Sequence, residues 1–117
     1  MGYLTTHVLD TARGCPGANM VVRLYRVANN QYQLLTETVT NSDGRCDAPL
    51  LAAEDFQVGT YQLVFEAGSY FRRNGVETEA TPFVDEVILR FGVSHAEDHY
   101  HVPLLVSPYS YSTYRGS

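Results

Sequence analysis

Four histidines, His7, His95, His99 and His101, and an arginine directly behind an Asp-Gly pair, Arg45, are the side chains of this sequence best suited to chemistry near neutral pH. An imidazole with an ordinary pKa of ~6.5 both takes and gives protons there. His99 and His101 are two residues apart in an extended stretch, so both face one side of a sheet. Such a pair can share a proton, or chelate zinc if His7 or His95 supplies a third ligand. The plainer reading is a pair of surface histidines. His7 alternates with Thr6 and Val8, which suits a histidine hydrogen-bonded on a sheet face, and Arg45 after its turn reads by itself as an exposed arginine. No nucleophile motif or phosphate loop stands out. The acidic pairs Glu54-Asp55 and Glu97-Asp98 are sequence neighbours whose side chains point apart, which suits solvation better than paired acid-base work.

The elements that must hold these groups are strands. In "MVVRLYRV" Met20, Val22 and Leu24 oppose Arg23 and Tyr25; in "TYQLVFEA" Tyr61, Leu63 and Phe65 oppose Gln62 and Glu66. Val87, Leu89 and Phe91 oppose Glu86 and Arg90 in "DEVILRFGV". This period of two predicts half-buried strands. Turn signals at Asn29-Asn30, Asp43-Gly44, Val58-Gly59 and Ser107-Pro108 divide them at short intervals, which favours an antiparallel sandwich or barrel. "GSYFRRNG", Gly68 to Gly75, breaks the alternation and ends on Asn-Gly, so it predicts one short helix. The C-terminal "PYSYSTYRG" alternates again, with Tyr109, Tyr111, Thr113 and Arg115 on one face and Ser110, Ser112, Tyr114 and Gly116 on the other. A polar-aromatic strand of this kind suits a subunit interface or a solvated sheet edge.

Composition narrows the function classes. The 117 residues are read as one domain, 1–117, large enough to bury its own core. A net charge of −5 with eight Lys plus Arg spread along the chain gives no basic stripe for nucleic acid. No apolar run approaches the roughly 20 residues that span a bilayer. Cys15 and Cys46 form neither a disulfide framework nor a metal knuckle. The first residues show no charged start followed by an apolar core, so a cytoplasmic protein is expected, with a periplasmic or peroxisomal one as the alternative.

Three stretches together carry a resemblance: "LTTHVLD" at 4–10, "NSDGR" at 41–45 and "HYHVPLLVSPYSYSTYRGS" at 99–117. With them the chain resembles the 5-hydroxyisourate hydrolases, the transthyretin-related enzymes of purine catabolism. The terminal Tyr-Arg-Gly-Ser is the most specific of these motifs and separates the hydrolases from the hormone carrier transthyretin on the same fold. The resemblance implies an all-β, transthyretin-like two-sheet antiparallel β-sandwich with one short helix. It further implies a homotetramer, a dimer of dimers, whose active sites lie in a channel between the dimers and need no cofactor or metal. The substrate would be 5-hydroxyisourate, whose six-membered ring is opened by water to 2-oxo-4-hydroxy-4-carboxy-5-ureidoimidazoline, the precursor of (S)-allantoin.

Position by position, the resemblance implies catalytic roles for His7, Arg45, His101 and Ser117, with Tyr114 lining the substrate pocket beside His7, Arg45 and Ser117. Hydrolysis at an amide-like carbonyl needs an activated water, a donor for the developing oxyanion and a proton for the leaving nitrogen. His7 and His101 jointly suit the first and third tasks, the order between them being open, and the fork of Arg45 suits the urate-like carbonyls. Ser117 would orient a histidine or the water through its hydroxyl or the terminal carboxylate. Two rivals stay in view: a transthyretin-like carrier without turnover, and a zinc-dependent hydrolase built on His99 and His101.

Overall fold

The computed structural model describes residues 1–116 as two sheets packed face to face. The first is built on β1 (Tyr3–Asp10), with β2 (Cys15–Pro16) and β5 (Leu51–Ala52) on it, and runs through β8 (His99–Ser107) to β9 (Ser110–Thr113). The second has the order β4-β3-β6-β7, from β3 (Val21–Ala28), β4 (Gln31–Val39), β6 (Gly59–Glu66) and β7 (Glu86–Val93). Among the described residues a single α-helix, α1 (Ala67–Arg73), follows β6, and one 3-10 turn covers Ala53–Asp55. The two-sheet sandwich with one short helix is thus the fold adopted.

The period-two reading locates the core. Met20, Val22, Leu24, Tyr61, Leu63, Phe65 and Val87 are fully buried between the sheets, where they meet Leu4 and Val8 of β1 and Leu104 and Val106 of β8. Asn29 and Asn30 both take left-handed φ, 53° and 60°, and close the β3–β4 hairpin as a two-residue turn. The helix starts one residue before the expected stretch, and Asn74-Gly75 stops it: the Asn74 side-chain amide donates to the Tyr70 carbonyl at 2.8 Å and Gly75 has a φ of 72°.

One pairing departs from the antiparallel rule. β1 and β8 run parallel along all of β1, from Tyr3 opposite His99 to Asp10 opposite Val106, whereas every other strand pair among the described residues is antiparallel. A parallel pair cannot be joined by a tight turn. Here nearly the whole chain serves as the connection, and it brings the two histidine-bearing ends of the sequence side by side.

Candidate functional site

The parallel register sets Thr5 opposite His101 and His7 opposite Pro103. Leu4, Thr6 and Val8 point into the sandwich and Tyr100, Val102 and Leu104 do the same from β8, so Thr5, His7, His99 and His101 stand on the outer face of the sheet. The His99 ring stacks on Tyr3 with centroids 4.0 Å apart and 15° between the planes. Between the two histidines sits the Thr5 hydroxyl: its Oγ1 is 2.8 Å from His99 Nε2 and 2.7 Å from His101 Nδ1.

Arg45 reaches this face from the loop before β5. Asn41 shapes the loop, its Oδ1 accepting from the backbone N–H of Asp43 at 2.9 Å and of Arg45 at 3.2 Å. Gly44, with a φ of 76°, lets the loop lie on β1, where its carbonyl accepts from the Val8 N–H at 2.8 Å. A Cβ at Gly44 would come within 2.3 Å of the Val8 carbonyl oxygen, so no other residue fits this approach. The same docking forms an isolated bridge between His7 and Arg45. His7 Nε2 donates to the Asp43 carbonyl at 2.9 Å; because a carbonyl only accepts, the neutral ring carries its proton on Nε2 and keeps Nδ1 as the basic nitrogen.

The C-terminal segment closes on His101 from the other side. Beyond β9 the chain returns to β8 through Gly116, whose N–H donates to the His101 carbonyl at 2.7 Å. A side chain there would press on the imidazole, since a Cβ would lie 3.1 Å from His101 Cδ2. Arg115 turns the opposite way, its guanidinium 3.9 Å from the centroid of the Tyr100 ring and 3.8 Å from Asp98.

These approaches leave a cavity of about 410 Å³ lined among others by Thr5, Arg45, Cys46, Asp47, His99 and His101. Burial, and then the charges of Arg45, His99 and His7, hold the His101 pKa below the ordinary imidazole value. At pH 7 His101 is therefore a neutral ring beside a permanent cation. That combination can bind a carbonyl-rich or anionic ring and pass protons to and from it. Cys46, half-buried on the same wall, has its thiol pKa pushed up by burial and by Asp47, so it is an inert thiol there.

Of the residues expected at a site, Arg45 and His101 share this cavity; His7 does not line it but stands beside it on the same sheet face, its backbone bridged to that of Arg45 and its charge felt at His101. Tyr114 lines a neighbouring cleft of about 380 Å³ between β7 and the segment after β9, along with Phe91, Tyr100 and Arg115. Ser117 lies outside the described residues. His95 is exposed, 3.7 Å from Glu97 and away from the cavity. Among the described residues no group of three or more His, Cys, Asp or Glu is arranged to hold a metal ion. Thr5 escaped the sequence reading, although its position two residues before His7 put it on the same strand face.

The same chain course recurs in known proteins. A family model described as the HIUase/Transthyretin family matches residues 4–116. The 5-hydroxyisourate hydrolase of Pseudomonas aeruginosa is 62% identical over 117 residues, which is all of this chain and 93% of that protein. Among solved structures, an (S)-allantoin synthase superposes with a TM-score of 0.94 at 50% identity, over 99% of this chain and 44% of that longer one. Sea bream transthyretin in complex with thyroxine superposes with a TM-score of 0.84 at 27% identity, over 97% of this chain and 93% of that one. A sandwich of this topology, matched over nearly its full length by both comparisons, places the chain in the HIUase/Transthyretin family.

Proposed function

We propose that this protein is a 5-hydroxyisourate hydrolase, an enzyme that opens the six-membered ring of 5-hydroxyisourate by adding water to its amide-like carbonyl. The product is 2-oxo-4-hydroxy-4-carboxy-5-ureidoimidazoline, on the route from urate to (S)-allantoin. The observation that carries this reading is the meeting of Arg45, His99 and His101 in one cavity with His7 bridged to its wall. The name of the relative at 62% identity supports the same substrate.

His101, kept neutral, and His7, with Nδ1 free, activate the water and return its proton to the departing ring nitrogen. Arg45 holds the carbonyl oxygens and meets the negative charge that develops on one of them. Tyr114 and Ser117 complete the pocket in the assembled protein, which we take to be a homotetramer formed as a dimer of dimers. No cofactor takes part in this scheme. A carrier role is the rival reading, favoured by the likeness to thyroxine-bound transthyretin. Against it stands the cost of desolvating an arginine and histidines under an apolar ligand that offers them no partner.

The test follows the ultraviolet absorbance of 5-hydroxyisourate generated in place from urate by urate oxidase. With spontaneous decay subtracted, the protein should accelerate the loss of the signal and His101→Asn should abolish the acceleration. Unchanged decay in the presence of folded protein would refute the hydrolase and favour the carrier.

A further inference from the structure

We infer that Thr5 is a positioning residue that joins His99 and His101 into one proton chain, so that the tautomer of either ring is fixed by the other. This rests on the hydrolase reading for its kinetic meaning, but its geometric basis is independent of any substrate.

A threonine hydroxyl has one hydrogen and two lone pairs. Oγ1 of Thr5 has an imidazole nitrogen on each side, His99 Nε2 at 2.8 Å and His101 Nδ1 at 2.7 Å. Among the described residues these two nitrogens are its only partners, so to use its hydrogen it donates to one ring and accepts from the other. If His101 carries its proton on Nδ1, that N–H points to Thr5, the hydroxyl points to His99, and His99 Nε2 is bare. The reverse arrangement puts the proton of His101 on Nε2 and makes His99 the donor. Neither ring can change tautomer alone without setting two lone pairs against each other at under 3 Å or turning the threonine hydrogen away from both rings.

Only the first arrangement leaves His101 Nε2 as a base. When that nitrogen takes a proton from water, the Nδ1 proton of His101 moves to Thr5 Oγ1 and the threonine's own hydrogen moves to His99 Nε2. One N–H bond of His101 breaks as one N–H bond of His99 forms, and the positive charge passes to the ring stacked on Tyr3. The backbone holds all three groups in place, because Thr5 and His101 are opposite each other in the β1–β8 ladder and His99 is one pleat away on the same face.

The test compares Thr5→Val, which keeps the branched shape and removes the hydroxyl, with Thr5→Ser, which keeps the hydroxyl. Valine should lower kcat about 10–100-fold, the usual loss when a partner that orients a functional histidine is removed, with KM little changed, and serine should restore kcat. Nitrogen-15 spectra of the full-length protein at a pH where both rings are neutral supply the second readout. In the wild type one of the two nitrogens facing Thr5 should be protonated and the other bare, and in Thr5→Val this pairing should be lost while the spectrum stays that of a folded protein. Full kcat in Thr5→Val, a serine variant as impaired as the valine one, or tautomers unaffected by the valine would each overturn the inference. The spectra decide even if wild-type protein proves inactive on 5-hydroxyisourate, so the two readings fail separately.

Discussion

At the scale of single residues, the site combines a fixed charge with a ring whose charge is suppressed. Arg45 does two things at once: it lines the cavity, and its field helps to keep His101 neutral. The two effects separate by substitution. Arg45→Lys keeps the charge but gives up the planar fork, so kcat/KM should fall about 10²–10³-fold, the loss typical of one well-aimed donor, while the pH profile keeps its shape. Arg45→Gln should lose as much and, with the cation gone, let the His101 pKa rise. Because activity requires the neutral ring, the acid limb of the profile then moves to higher pH. Profiles of kcat/KM for the three proteins check both statements, and an acid limb that stays in place in Arg45→Gln would remove His101 from the role of the titrating base. Positions Gly44 and Gly116 belong to the same scale: at Gly44 the backbone comes too close to β1 for any side chain, and at Gly116 a Cβ would press on His101.

At the scale of elements, the far end of β1 is tied to α1 by a buried carboxylate. Asp10 is fully buried and accepts from Tyr70 Oη at 2.7 Å and from Arg13 Nε at 2.9 Å, with the N–H groups of Ala12 and Arg13 on its other oxygen at 3.0 Å. Burial pushes the Asp10 pKa up, yet the bonds from Tyr70 and Arg13 outweigh it and hold the group below the ordinary carboxylate value. Burial and the bond to Asp10 push the Tyr70 hydroxyl up to about 12. A lowered carboxylate pKa stabilises the fold above the ordinary value of ~3.9, and that share is lost as pH falls through the folded value. Tyr70→Phe should therefore cost about 1.5–3 kcal/mol at pH 7, as for a hydrogen bond to a charged group, and move acid unfolding to higher pH; urea melts at several pH values measure both. A loss indistinguishable from zero would mean that water or Arg13 replaces the hydroxyl. The strands, their buried faces and the same-side histidines were legible because they depend on a local period of two. What escaped depends on distant segments: the parallel β1–β8 pairing joins residues more than ninety apart, as in Thr5 with His101, and the contact of the Gly44 loop with Val8 leaves no trace in either local pattern.

At the scale of the whole molecule, the cavity and the surfaces around it point to assembly. The cavity lies on the outer face of its sheet with strands β1 and β8 as its floor and the Arg45–Pro49 loop as one wall. Apolar groups stand exposed around that sheet and its β8–β9 turn: Leu9 is 38% exposed, Tyr109 57%, and Phe83, stacked on Tyr109 at 6.3 Å, 75%. Among the described residues the edge strands β7 and β9 pair on one side only, with β6 and β8, and present Ile88 and Tyr111 about half exposed. Open edges and apolar patches of this kind are costly in a lone subunit and are relieved by pairing with further copies. A second copy laid over the cavity would also expel water, and in that drier setting the hold of Arg45 on a developing negative charge strengthens. Assembly should then be a condition of turnover. Sedimentation velocity is expected to show a tetramer at micromolar concentration, and activity per chain should stay constant on dilution until the tetramer dissociates and then fall in step with it. A monomer that sediments alone and turns over substrate at the full rate would show instead that one chain supplies the whole site, with Tyr114 in its neighbouring cleft contributing nothing to it.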